Sequence, residues 1–348
     1  GWIIEPMNRA GLYKTLLDTW LPPVCTSSNL QIQAVGLNQA GKQYLHIAQY
    51  DTALEYLNRS LPIQQEIGDK SGESTILNNL SQIFKVRGDN DTALEYLKRS
   101  LVIAQEIKDK YGEGSTLNNI SQIYHDRGDH ESALDCLNRS LSIRQEIGDK
   151  SGESTTLNNI AQIYDARGDY DIALDHFKRS IAIAQEIGDK SGEGTTLNNI
   201  AHIFMACGDY ETTLEYLKRS LAIQQEIGDK SGVGTTLNNI SQIYDVRGDH
   251  DTALDYLRRS LAIQQEIGDV AGLCATLFNM GHIYRQNNEI KYAVSTWVTV
   301  YKLASKIGYA QVLQSLEALA PHIGFPGGLD GWEQLSQQMG EVNSFNRE

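Results

Sequence analysis

Residue types able to do chemistry recur in this sequence at one interval. Serine, histidine and aspartate are plentiful, yet they return every 40 residues on separate turns. Nucleophilic or acid–base chemistry needs such groups to converge within hydrogen-bond reach. No catalytic constellation emerges, so an enzymatic activity would require a domain outside this chain. The side chains that do form a series are amides: Asn79, Asn119, Asn159, Asn199, Asn239 and Asn279, with Gln39 ahead of them. A carboxamide offers two N–H donors and a carbonyl acceptor. Seven of them along one wall would match the alternating C=O and N–H of an extended backbone without demanding particular side chains.

The elements that must carry this series follow from the repeats. TLNNI stands at 116–120, 156–160, 196–200 and 236–240, and ILNNL at 76–80, always 40 residues apart. The other half of each unit is equally regular: ALEYLNRSL from Ala53, ALEYLKRSL from Ala93, ALDCLNRSL from Ala133, ALDHFKRSI from Ala173, TLEYLKRSL from Thr213 and ALDYLRRSL from Ala253. A fixed period of this size marks a solenoid. Six close copies cover 31–70, 71–110, 111–150, 151–190, 191–230 and 231–270, and a looser seventh covers 271–309. Each unit reads as two helices. At about 100° per residue Leu157, Ile160, Ala161 and Tyr164 form one apolar stripe, and Ala173, Phe177, Ser180, Ala184 and Ile187 share a face of the second helix. Small Ala and Ser beside Tyr and Phe let the two helices approach closely. Gly168 and Asp169 are expected to stop the first helix and cap the second, and Gly188, Asp189 and Ser191 to do the same between units.

Asn159, Ile160, Ala161, Tyr164, Gly168, Ala173, Phe177 and Ser180 together resemble the signature of the tetratricopeptide repeat family, with serine where that family prefers alanine. The resemblance covers about 31–309. The second helices run on through QEIGDKSGE, which is similar to the longer repeats of kinesin light chains, of Pins-type spindle adaptors, and of bacterial signalling proteins joined to nucleotide-switch or caspase-like CHAT domains. The resemblance implies an all-α, right-handed superhelical solenoid of antiparallel helix pairs, about seven repeats with terminal capping helices, its concave wall lined by the first helix of each pair. It also implies the role of a peptide-gripping asparagine ladder for Asn79, Asn119, Asn159, Asn199, Asn239 and Asn279, and less directly for Gln39. Two roles are open: a non-catalytic scaffold that binds an extended peptide or protein segment in the groove, and the sensing or self-associating arm of a larger bacterial signalling protein with a fused effector.

On the same helix face Thr155, Gln162 and Ala166 accompany Asn159 opposite the packing stripe. That face is polar and almost uncharged. Gln82, Gln122, Gln162, His202 and Gln242 extend the expected peptide-binding column, and His282 continues it. Specificity is expected from positions that differ among copies: Lys85, His125, Asp165, Met205, Asp245 and Arg285, with Val86, Asp126, Ala166, Ala206, Val246 and Gln286 beside them. Neutral drift is the competing account of those differences. Water alone can also satisfy an exposed asparagine, and duplication copies residues whether or not they bind. Asn78, Asn118, Asn158, Asn198 and Asn238 lie nearer the groove edge, where contacts between units compete with ligand binding. His202 and His282, two units apart, are weak metal or pH-switch candidates, and ordinary surface histidines are the better reading.

Several motifs fail on context. Arg87-Gly88-Asp89 is a helix–helix turn. GDKSGE lacks the P-loop pattern and any preceding strand. Asp89 and Asp91 lack calcium-loop offsets. Arg59, Arg99, Arg139, Arg179, Arg219 and Arg259 follow an acid by four residues, as in a helix-surface ion pair. No cofactor and no metal are expected.

The flanks differ from the array. Trp2, Trp20, Trp297 and Trp332 all lie outside the six close copies. Residues 7–20 read as an amphipathic helix closed by Pro22 and Pro23, within an N-terminal helix and linker over 1–30. Residues 310–320 read as a capping helix, and 321–348 as a loop followed by a short helix over 331–340 or a mobile tail. Pro62 should remove one backbone bond from its helix and bend it. The 30 basic and 44 acidic residues leave a net charge of −14, which disfavours nucleic acid as a partner. No apolar run is long enough for a membrane span. Cys25, Cys136, Cys207 and Cys274 show no metal-ligand spacing and suggest reduced thiols in the cytoplasm. An opening Gly1 with no signal peptide after it points to a piece of a longer chain.

Overall fold

The computed structural model describes residues 18, 19, 21–324 and 327–345, with side chains to Met339. Most of the helix expected over 7–20 lies outside the described residues. Pro22 and Pro23, expected to close that helix, instead sit in the first turn of α1 (Leu21–Cys25), where a missing N–H costs no internal bond.

Seven helix pairs follow: α2 (Leu30–His46) with α3 (Tyr50–Glu66), α4 (Lys70–Val86) with α5 (Asn90–Glu106), α6 (Lys110–Asp126) with α7 (His130–Glu146), and α8 (Lys150–Ala166) with α9 (Tyr170–Glu186). The series continues through α10 (Lys190–Ala206) with α11 (Tyr210–Glu226), α12 (Lys230–Val246) with α13 (His250–Ile267), and α14 (Val270–Gln286) with α15 (Ile290–Ile307). A short helix α16 (Ala310–Leu319), a 3-10 turn (Ala320–Ile323) and α17 (Gly328–Phe345) complete the described chain. The architecture is an all-α solenoid of helix pairs, with no strand among the described residues. The chain groups into two units, one running to Asp229 and the other from Lys230 onward, with Val86–Gly88 assigned to the second.

Within the first unit each repeat packs by the expected stripe. Leu157, Ile160, Ala161, Ala173, Phe177 and Ala184 are all buried, and Tyr164 packs beside them. Ile187 departs from that pattern. It is the C-cap residue, past the last helical position, and remains 40% exposed. Ser180, at the close crossing of the two helices, is buried and donates its Oγ–H to the Ser154 carbonyl at 2.9 Å. Ser60, Ser100, Ser140 and Ser220 likewise donate to Ala34, Ser74, Gly114 and Gly194. A hydroxyl therefore links the two helices where the family's alanine would only fit the space.

The recurring QEIGDKSGE segment joins one pair to the next. Gly188 takes φ +71°, Asp189 accepts from the Gly192 N–H at 2.9 Å, and Gln185 donates to Glu193 at 2.6 Å across the turn. Lys190 lies 3.6 Å from the same nearly buried carboxylate. Glycine is favoured at the turn because a Cβ disfavours the left-handed region. Lys108 occupies the equivalent position at φ +56°. Between the helices of a pair, Asp89, Asp129 and Asp209 cap the second helix, whereas Asp169 turns to Arg167 at 3.1 Å and makes no cap bond. Helix α3 continues through Pro62.

In the second unit the larger side chains of the flank remodel the repeat. Trp297 stands where Leu257 stood one repeat earlier, and Gly281 replaces Ser241 opposite it. A Cβ on Gly281 would fall 2.3 Å from the Trp297 ring nitrogen. Trp297 and Trp332 are fully buried at 6.4 Å, edge to face, and donate to the Phe278 and Leu316 carbonyls. Helices α16 and α17 pack on α15, so the C-terminal end of this unit is covered. Helix α17 is longer than the short helix expected over 331–340.

One core position breaks the repeat. Gln43 stands where Ile83, Ile123, Ile163, Ile203, Ile243 and Ile283 fill the core, and it is fully buried with neither amide atom bonded. Gln43→Ile is expected to raise stability by about 1–3 kcal/mol, since it removes an unsatisfied buried polar group. Lys108→Gly should add about 1 kcal/mol by relieving a left-handed backbone. Urea unfolding midpoints check both, and a drop in either midpoint would refute the corresponding reading.

Candidate peptide-binding face

The amides of the first helices are positioned by helix periodicity on one side and by the neighbouring repeat on the other. Helices α6, α8 and α10 lie side by side in the first unit, as do α12 and α14 in the second. At these junctions, and at those of α4 with α2 and α6, the asparagine at the second position of the LNN-type motif donates to the asparagine at the first position of the preceding repeat's motif. Asn79 bonds Asn38 at 3.0 Å, Asn119 bonds Asn78 at 2.9 Å, Asn159 bonds Asn118 at 3.1 Å and Asn199 bonds Asn158 at 3.0 Å. In the second unit Asn279 bonds Asn238 at 3.1 Å. Each partner is one repeat plus one residue away, so the two columns act together.

This alters the expected picture of a freely solvated wall. Asn79 is 8% exposed, and Asn119, Asn159, Asn199, Asn239 and Asn279 are half-buried, as is Gln39. One Nδ2 proton of each bonded asparagine is committed to the repeat before it. A second Nδ2 proton and the carbonyl oxygen complete the group's bonding capacity. The adjacent column is committed more deeply: Asn78 Nδ2 also donates to Ser100 Oγ at 2.5 Å and Thr116 Oγ1 at 3.1 Å, under the surface. Of the residues expected nearer the groove edge, Asn78, Asn118, Asn158 and Asn238 make contacts between units. The signal for this was the Asn-Asn pair at 78–79, 118–119, 158–159, 198–199 and 238–239, which only the junction geometry interprets.

The flanking columns are more open. Gln82, Gln122 and His202 are exposed, and Gln162, Gln242 and His282 are half-buried. Residues of the variable column reach forward to the next repeat. Lys85 Nζ meets Gln122 Oε1 at 3.1 Å and Asp126 at 3.2 Å, and Asp165 Oδ2 meets His202 Nδ1 at 2.9 Å. His125 lies beside the His130 ring at 5.5 Å, and Met205 is half-buried. In the second unit Ser241, Gln242, Asp245, Asn279, His282, Ile283 and Gln286 line a cleft of about 300 Å³, while Arg285 is exposed. No group of three or more metal-ligating side chains occurs among the described residues.

The two histidines of the column have opposite electrostatics. The hydrogen bond that the His202 ring donates to Asp165 holds the imidazole above its ordinary value, against a smaller effect of burial. Burial pushes His282 down, with Arg285 adding to the shift and Asp245 opposing it. Its ring sits edge-on to Phe278 at 4.8 Å and Trp297 at 5.2 Å. Away from this face, Arg59, Arg139 and Arg259 pair with the acid four residues before them at 3.5–3.9 Å, as expected for helix-surface ion pairs.

Helix pairs of fixed length, stacked through their first helices, define a helical-repeat scaffold. The family model of the tetratricopeptide repeat matches residues 33–106, 73–146, 112–186 and 192–266, and the chain belongs to that family. No curated protein sequence matches the chain. Among solved structures it is similar to a Rap protein complexed with Competence and Sporulation Factor, with a TM-score of 0.66, 15% identity and coverage of 84% of this chain and 81% of that one. It is also similar to aspartyl phosphate phosphatase F from Bacillus subtilis, with a TM-score of 0.60, 15% identity and coverage of 79% and 72%. A STAND protein with a tetratricopeptide repeat sensor from Pyrococcus horikoshii aligns at a TM-score of 0.55 and 17% identity, over 90% of this chain and 48% of that one. At these identities the likeness is one of fold.

In an NMR titration the His202 ring is expected to protonate above, and the His282 ring below, the ordinary imidazole pKa of about 6.5. Asp165→Asn should return His202 towards that value and leave His282 unmoved. Stability follows with opposite signs. His202 contributes below about pH 6.5 and loses that contribution as pH rises through its raised folded-state value. His282 withdraws stability as pH falls below about 6.5, because the unfolded chain takes up the proton first. Identical titration of the two rings would contradict this geometry.

Proposed function

We propose that the chain is a non-catalytic, cytoplasmic interaction scaffold that takes an extended peptide or partner segment along a concave groove lined by the first helices. The working array spans 31–309, with 310–320 as its cap. The observation that carries this reading is the half-buried amide column, one group per repeat, each bonded amide having an N–H and a C=O beyond its contact with the preceding repeat. Held in place by that contact, these groups meet a ligand with little ordering cost of their own. Net hydrogen bonds contribute about 0.5–1.5 kcal/mol each, against an association cost of about 4 kcal/mol or more. Amides alone thus give weak capture, and the variable column with Lys85, His125, Asp165, Met205, Asp245 and Arg285 supplies the selectivity. The net charge of −14 favours protein over nucleic acid as partner. No described helix is long and apolar enough to cross a membrane.

A second reading is supported by the fold likeness to a protein whose tetratricopeptide repeats are a sensor within a longer chain. In it, this array is the sensing or self-associating arm of a larger bacterial signalling protein. Sedimentation distinguishes the self-associating form, since a mass independent of concentration speaks against it.

The groove reading is tested by selecting short peptides from a random display library on the purified chain. Asn159→Ala combined with Asn199→Ala should weaken capture at least ten-fold, the value of one to two bonds. Each substitution also removes a contact between repeats, so a stability loss of about 1–3 kcal/mol in total is expected, with unchanged helical circular dichroism. Undiminished capture by the double variant would remove the amide column from the function.

A further inference from the structure

The geometry points to the cleft between α12 and α14 as a subsite for one cationic side chain, lysine or arginine, of the bound peptide, with Asp245 as its counter-charge. The inference rests on the groove reading above and specifies one residue of its ligand.

Three observations carry it. First, two members of the variable column in the first unit close onto the next repeat: Lys85 reaches Gln122 at 3.1 Å and Asp165 reaches His202 at 2.9 Å. Asp245 and His282 occupy the same two positions in the second unit, but His282 is turned against Phe278 and Trp297. Trp297, accommodated by Gly281, lies against that imidazole, and a cleft of about 300 Å³ is lined by both Asp245 and His282. Second, the only charge partner found for Asp245 among the described residues is the His250 ring, which compensates it only when protonated. The Asp245 Oδ1 is shielded and accepts no hydrogen bond, and His250 Nε2 is 3.7 Å away. Asp245 also lies in the last turn of α12, where a negative charge opposes the helix dipole, so its presence works against folding. Third, the remaining walls suit a donor. Gln242, Asn279 and Gln286 present side-chain amides, whose oxygens accept from an ammonium or guanidinium that carries donors only. The volume lies at the low end for ligand pockets, the scale of one long side chain rather than a cofactor. Arg285 is exposed and outside the lining.

The test compares peptides selected from the random library on the unsubstituted chain, on Asp245→Asn, and on Asp255→Asn. The last removes the same charge from the exposed ion pair with Arg259 on the other helix of that repeat. Lysine or arginine should be enriched at one position on the unsubstituted chain and on Asp255→Asn. On Asp245→Asn that enrichment should vanish and the selected peptides should bind about ten-fold more weakly, the size of one charge-assisted bond. Selected peptides without cationic enrichment, or enrichment that survives Asp245→Asn, overturn the subsite and leave the groove reading standing. If no peptide is selected, the groove reading fails by itself, and the cleft is then probed with N-acetyl-arginine methylamide against its uncharged citrulline counterpart. A saturable shift of the His282 ring resonances with arginine only, lost in Asp245→Asn, supports the subsite. Equal response to both compounds, or to neither, refutes it.

Discussion

A helix pair of this length has apolar side chains on two sides, and only one of them is covered within the pair. The other is covered by the next repeat, so no unit is stable in isolation and the stacking junction governs the rest of the molecule. Two kinds of contact set that junction. Apolar stripes such as Ile160 and Ile163 against Leu137 supply the burial. The amide bond from Asn159 to Asn118, and its equivalents, supplies the register. A slide of one repeat along its neighbour would leave both a donor and an acceptor unpaired at a half-buried site, which costs more than the bond itself contributes.

The same constraint explains why the chain tolerates near-identity among its repeats. Most positions are duplicated because each junction must be made the same way: a buried Ser hydroxyl links the helices of a pair, a Gly-Asp turn reverses the chain, and Gln185 with Glu193 ties one pair to the next. Variation concentrates outside the buried stripes. Lys85, His125, Asp165, Met205, Asp245 and Arg285 form such a column, none of them in the core. Its members differ in charge and size, and a change there leaves the core residues of the repeat in place.

At the C-terminal end the repeat is modified by size. Trp297 needs Gly281 opposite it, then covers Trp332 and the helices that close the second unit. The same aromatic packing reaches the candidate face, where the imidazole of His282 lies edge-on to Phe278 and Trp297.

Much of this was legible from residue order. The 40-residue period, the helix faces and the Gly-Asp turns are local or periodic properties, and local properties are written in the spacing of residue types. The exposed fate of Ile187 and the uncapping by Asp169 were not legible, because each depends on where one helix ends or on which of two nearby partners a carboxylate takes. The amide column was found as a series of positions, but its bonding was not. That one asparagine bonds the preceding repeat depends on the offset between stacked helices, a quantity no single helix contains. The cleft that brings Asp245 and His282 together belongs to the same class, since its walls come from two different helices.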